Sequence, residues 1–368
     1  MGKYTFKEVD KESGTISFEA VRGIQAGREF YIGMCSFATI YNHFKFNDDP
    51  QIPPTFRAQR KLRESRIPVI TNYILNNLKD YIFSSITVSV GGKVTFHADP
   101  SQGENGRLGT ITIPIDVPIL INDGQHRCAA IKSAYEQRSD LGSEKISVVF
   151  FEDQGLKKSQ QMFADLNKHA VKPTKSLGIL YDHRDTFARF IVNLANDVEV
   201  FRGRTEMEKT SISNRSIKFF TLNGIADATR YLLRIKTKTI LADKQKLVVE
   251  FWDEVAKNIP EWNLLTEKKV TPYELRQGFV HAHTNVLNAL GMVGYVLTTQ
   301  FADTWKQKLK GLQKVRWERD NPIWEGKLVI DGHMLKTRLG IKKAADIILK
   351  ECGVAKTLDE FEAQTVAA

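Results

Sequence analysis

Apolar residues along the first half of the chain fall into short runs of β character. Along the second half they recur at helical spacing. Residues 15–34 read as two β-rich runs around a glycine turn, a hairpin, and 36–44 as a helix. A basic lead-in precedes a helix within 56–80, apolar at Ile67, Ile70, Ile74, Leu75 and Leu78. Ile86–Val90 reads as a strand with Val94–Phe96 as its return. Residues 110–122 are β-rich, and Pro114 and Pro118 confine them to short or edge pieces. Gly124 then breaks the strand and a helix follows. The mainly apolar run Ile146–Phe151 (ISVVFF) predicts a buried strand, and helices are expected near 156–167 and 176–196. Beyond Asp197 helical spacing dominates, in 222–235, 244–257, 273–300, 302–314 and 341–351. The expectation is an α+β chain: a mixed α/β domain over 1–200 and a mainly helical domain over 201–368.

Composition narrows the class. With 368 residues, 42% hydrophobic and 26% charged, the chain can bury a sizeable core. Lys and Arg number 53 against 43 acids, a formal charge of +10, which favours polyanionic partners. Three widely spaced cysteines form neither a disulfide framework nor a zinc motif, so a reducing compartment is expected. The charged N-terminus is unlike a signal peptide, and the apolar stretch 286–297 is too short to span a bilayer. Composition therefore points to the cytoplasm.

The most informative segment is Ile119–Ile131, ILINDGQHRCAAI. A strand ends at Asn122, a glycine turn follows and a helix begins. That order aims backbone N–H groups and the positive helix end at whatever occupies the turn, and an anion is the natural occupant. Arg127 brings a planar fork suited to phosphate and His126 a second donor, while Gln125 can reach a phosphate, a base or water. Asp123 suits helix capping or a Mg²⁺ ion shared with phosphates. The plainer reading makes Asp-Gly an ordinary turn, Arg127 a surface charge and His126 a satisfied cap.

The string DGQHR resembles the signature of the DGQHR domain, whose members are similar to the ParB and sulfiredoxin fold. In sulfiredoxins a cysteine stands where this chain has Gln125, so sulfinic-acid reduction is not implied. Residues 163–177, FADLNKHAVKPTKSL, resemble the ParB phosphate segment, with Asn167 matching its asparagine and Leu166 in the place of its acidic metal ligand. Asp165 stands next to it. Over nearly its whole length, including RGIQAGREFY, RIPVITNYILNN and EKTSISNRSIKFFTL, the chain resembles the DndB family of bacterial DNA phosphorothioate modification. The resemblance implies a regulator or targeting factor of that machinery, acting with its other proteins and with double-stranded DNA, and a repressor of its own operon. It also implies a nucleoside triphosphate, ATP or CTP, with Mg²⁺. Asp123, Gly124, Gln125, His126, Arg127, Asn167 and Lys168 would hold the nucleotide and Asp123 and Asp165 the metal. Asp123 and His126 would act in any hydrolysis. The alternatives are a nucleotide-independent repressor or adaptor, and a DNA-nicking ParB-like nuclease.

Three basic stretches compete as DNA candidates. One carries Arg57, Arg60, Lys61, Arg63 and Arg66 with a single Glu64; a second carries Arg202, Arg204 and Arg215 among hydroxyl side chains; the third is 305–350. Residues 305–350 mix Lys and Arg with Trp305, Trp317 and Trp324, tryptophans better read as core. His281 and His283, two apart, do not share a helix face as metal ligands would, and Cys128 reads as packing. Asp182, His183, Arg184 and Asp185 read as a charged helix turn. Nothing in the sequence sets an oligomeric state, so a homo-oligomer stays open.

Overall fold

A computed structural model describes residues 9–10, 14–44, 62–103, 106–168, 172–236 and 239–367. The chain divides into two compact units, Met1–Val171 and Lys172–Ala368.

The first unit is a mixed sheet with helices. Its elements run β1 (Val9–Asp10), β2 (Thr15–Gln25), β3 (Arg28–Ser36), α1 (Phe37–His43), α2 (Ile67–Asn76), β4 (Ile86–Val90) and β5 (Thr95–Ala98), then β6 (Leu108–Pro114), β7 (Ile119–Asp123), α3 (Gln125–Gln137), β8 (Lys145–Glu152) and α4 (Leu156–Lys168). The strand order is β5-β6-β2-β3-β8-β4-β7, with β1 paired to β2. Among the described strands of this unit, only β4 and β8 run parallel; the other pairs are antiparallel. The β2–β3 hairpin forms as its alternation predicts, with Arg28 opposite Gln25 at the turn.

The expected return strand after β4 goes elsewhere. β5 pairs with β6 at the far edge, while β4 lies between β8 and β7. Burial gives the reason. All five residues of β4 are buried and need neighbours on both sides and both faces, whereas β5 alternates between exposed and half-buried and suits an edge. Pro118 precedes β7, the opposite edge strand, so its missing donor interrupts no ladder. Ile16, Phe18, Val88, Ile121, Ile131 and Phe150 belong to one buried cluster, with Phe18 stacked on Phe150 at 5.2 Å.

The second unit is mainly helical: α5 (Lys175–Tyr181), α6 (Thr186–Asp197), α7 (Leu222–Leu233), α8 (Ala242–Lys257), α9 (Pro260–Thr266), α10 (Pro272–Gly278), α11 (Thr284–Gln300), α12 (Trp305–Leu309), α13 (Arg338–Glu351) and α14 (Leu358–Ala367). Two short strand pairs, β9–β10 (Thr205–Glu206 with Phe220–Thr221) and β11–β12 (Val329–Ile330 with His333–Met334), complete it. The division falls at 171/172 rather than near 200. The reason is that α5 and α6 pack on α7, and α6 sends Phe187, Phe190, Ile191 and Leu194 into the helical core. The expected helix over 176–196 is broken in two at Asp182–Asp185. There Asp185 caps α6 by accepting from the Ala188 N–H at 2.9 Å.

At the centre lies α11, packed on α7 and α13. A side chain at Gly291 would meet the Ala228 carbonyl at 2.2 Å, so the glycine is what lets α7 and α11 approach so closely. Trp252, Trp262 and Trp324 are fully buried, and Trp305 and Trp317 nearly so, as the core reading of the tryptophans expects. Among the described residues, no helix is long and apolar enough to cross a membrane.

Candidate phosphate turn

The DGQHR string occupies a strand–turn–helix. β7 ends at Asp123, Gly124 takes φ +97°, and α3 starts at Gln125. That left-handed angle suits glycine, and a Cβ there would stand 3.0 Å from the Arg127 guanidinium and from Ile86 Cγ1. Among the described residues, no side chain caps the N-terminus of α3. It opens on a pocket of about 320 Å³ lined by Arg66, Ile70, Asn122, the five residues of the string, Phe163 and Asn167.

Within that frame each side chain has a definite task. The Arg127 guanidinium donates to Asp123 Oδ2 at 2.5 Å, and to the carbonyl (3.0 Å) and hydroxyl of Ser84. Asp123 therefore neither caps the helix nor stands apart as a metal ligand; it forms an i, i+4 ion pair that aims Arg127. Gln125 is buried and donates to the Ile121 carbonyl at 3.2 Å, so it braces the turn. The Nε2 of His126 accepts from the Arg63 backbone N–H at 3.0 Å, which ties the basic lead-in to the turn.

Beneath these lies Asn122, fully buried. Its Nδ2 donates to Ser89 Oγ at 2.6 Å and contacts Met162 Sδ at 3.1 Å, while its Oδ1 is buried without a donor. Cys128 is packed inside α3, where burial pushes its thiol up to about 12; the reading as packing holds.

From α4, only one face arrives. Phe163 and Asn167, four apart, line the pocket, and Asn167 Nδ2 bonds back to the Phe163 carbonyl at 2.8 Å. Asp165, two residues from each, projects from another side of the helix, where it accepts from Gln161 at 2.7 Å. Lys168 is exposed beyond the pocket wall. The structure thus brings Asn167 to the turn and leaves out Asp165 and Lys168. Among the described residues, no group of three or more His, Cys, Asp or Glu side chains could hold a metal ion.

The first two basic stretches separate in the same way. Arg57, Arg60 and Lys61 lie outside the described residues. Arg63 is exposed, and Arg66, also exposed, lies on the wall of the turn pocket. That placement depends on the packing of α2 against α3, which no local spacing announces. In the other stretch, Arg202 donates to the Asn196 and Asp197 carbonyls at 2.8 and 2.6 Å, closing the end of α6. Arg204 donates to the carbonyls of Glu199, Arg202 and Thr266. Both guanidiniums are spent on backbone, and Arg215 is exposed. Buried Arg276, which sequence reasoning passed over, holds the same loop through the carbonyls of Asn214, Ser216 and Lys218.

A family model described as DndB, DNA-sulfur modification-associated, matches residues 18–355. No curated protein and no solved structure matches the chain.

Proposed function

The chain belongs to the DndB family of DNA-sulfur modification-associated proteins, and from that premise we propose that its DGQHR turn takes up the phosphates of a nucleoside triphosphate. The observation that carries this reading is the uncapped N-terminus of α3, opening on a pocket with Arg66 on its wall. Backbone N–H groups and the helix dipole supply positive potential there without a flexible side chain, and Arg66 has no ion-pair partner among the described residues. Arg127 is poised differently. A phosphate entering the pocket competes with Asp123 for the guanidinium, so binding loosens the pair that closes the turn.

The donor set does not fit a protein-held Mg²⁺. Asp123 is engaged by Arg127 and Asp165 points elsewhere, so no step is assigned to a metal. The reading is of binding rather than hydrolysis, because Asp123 and His126, the candidates for catalysis, are both engaged in holding the turn. Nucleotide state would then be communicated to DNA through the basic lead-in, which His126 tethers at Arg63. Double-stranded DNA and the other proteins of the sulfur-modification machinery are the partners this reading assigns, and control of the operon is its outcome.

Calorimetric titration of the full chain with ATP and with CTP, each with Mg²⁺, tests the reading. At least one should bind, and Arg66→Glu should weaken it by tenfold or more, with circular dichroism showing an intact fold. If neither nucleotide binds, or Arg66→Glu binds as the parent does, the reading fails. A gel shift with operon-promoter DNA over a salt series, with and without nucleotide, tests the link to DNA.

A further inference from the structure

The helical unit contains a second cavity, of about 570 Å³, that no motif announced. Two helix faces converge on it. Asp227, Arg230, Tyr231 and Arg234 stand at spacings of three, four and seven along α7 and its end. Asn288, Met292 and Tyr295 repeat that spacing along α11. Arg338 and Lys342 from α13, and Leu358 and Glu362 from α14, close the wall.

Part of this charge is internally settled. Glu362 accepts from Arg234 at 3.1 Å and from Lys342 at 2.8 Å, and Arg234 also lies over the Tyr295 ring at 4.3 Å. Arg230 lies over the Phe187 ring at 4.2 Å. Three groups are not settled. Lys236 and Arg338 have no ion-pair partner among the described residues. Asn288, only 9% exposed, keeps its Oδ1 buried without any donor. A buried acceptor left bare is unfavourable, so its position on a cavity wall points to a missing donor. On the wall of the same cavity, burial pushes the Asp227 carboxyl up, against the pull of Lys175 and Arg230.

The cavity thus offers acceptors, Asn288 Oδ1 and the Asp227 carboxylate, together with unpaired cations, and an aromatic and thioether wall of Tyr231, Tyr295 and Met292. A matching ligand carries ring N–H donors, a flat apolar face and an anionic group. We propose that this cavity binds a nucleoside phosphate, its base donating to Asn288 and Asp227 and its phosphate held by Lys236 and Arg338. Guanine is the best-matched base, because its adjacent N1–H and N2–H donors suit a carboxylate, whereas adenine offers only its amino group. The volume is within the range of small-molecule sites. None of these residues belongs to the turn pocket, so the two sites are separable by mutation.

The test is calorimetric titration of the full chain with GMP, with AMP and inorganic phosphate as comparison probes. GMP should bind at least several-fold more tightly than AMP and at least tenfold more tightly than phosphate. Arg338→Glu and Asn288→Leu should each weaken GMP by tenfold or more. Arg66→Glu, which disables the turn, should leave GMP unchanged. Asn288→Leu also removes the orphaned acceptor, so its melting temperature should not fall; Arg338→Glu, exposed at the start of α13, gives a second variant that leaves the core intact. No GMP binding overturns the proposal. So does phosphate or AMP binding as tightly as GMP, or binding lost in Arg66→Glu and kept in Arg338→Glu.

Discussion

The two pockets are built by opposite means. The turn pocket is shaped by backbone: one glycine at positive φ, one uncapped helix end, and side chains such as Gln125 and Arg127 that brace the bend. The helical cavity is shaped by side chains drawn from four helices between Asp227 and Glu362. A backbone-built site occupies a contiguous string. A side-chain-built site is scattered, and only the packing of α7, α11 and α13 gathers it. The difference teaches where each unit should be vulnerable: the helical unit to loss of a buried side chain, the α/β unit to a change of backbone preference.

The largest expected effect would sharpen the first half of that contrast. Arg276→Met strips the charged donor from three carbonyls of the 214–218 loop and should destabilise the chain by about 3 kcal/mol. Urea unfolding measures it; a loss near zero would show that the loop holds itself. Next comes pH. Burial and nearby Arg319 depress the imidazole of His283 from its ordinary 6.5 to about 4. The folded state thus favours the neutral form, and the unfolded chain takes up the proton first as pH falls. The stability contributed is fully present above pH 6.5 and is lost toward pH 4, by about 3 kcal/mol at most. Thermal melts from pH 7.5 to 4.5 should show the decline, and His283→Gln should flatten it.

On the α/β side, Gly124→Ala forces a side chain into a left-handed angle against Arg127 and Ile86, a cost of about 1–2 kcal/mol. It should also weaken nucleotide binding at the turn, read by the same titration. Equal stability and equal affinity would mean that the backbone angle does not shape the pocket. Smallest is Asn288→Leu, expected to raise stability by about 1 kcal/mol by removing a bare acceptor. A drop of similar size would show that its amide is satisfied and that the cavity lacks its polar floor.

Much of this architecture was readable along the chain. The β2–β3 hairpin, the break at Gly124 and helices such as α7, α8 and α13 are local consequences of alternation, of glycine and of helical spacing, whereas the expected helix over 273–300 is instead α10, a short 3-10 turn at Val280–Ala282 and α11. The place of β5 was not readable, because an edge strand and a hairpin return carry the same short apolar signal. The candidate site divides along the same line. Asp123, Gly124, Gln125, His126, Arg127 and Asn167 meet in one pocket, and five of them are adjacent in sequence. Asp165 and Lys168 differ from Asn167 only in which side of α4 they occupy, and α4 is oriented by Met162 against Asn122 and Ser89.

By itself the sequence determined most of the secondary-structure content, the strand–glycine–helix turn and the basic excess, since each follows from residue type and spacing over a few positions. Tertiary structure alone decided which charges are available. Arg202, Arg204 and Arg276 are consumed by carbonyls, Arg127 is drawn to Asp123, and Arg66 is delivered to the turn by the packing of α2 on α3. The physical reason is that a guanidinium binds the nearest well-aligned oxygen, and which oxygen is nearest is a property of the folded chain.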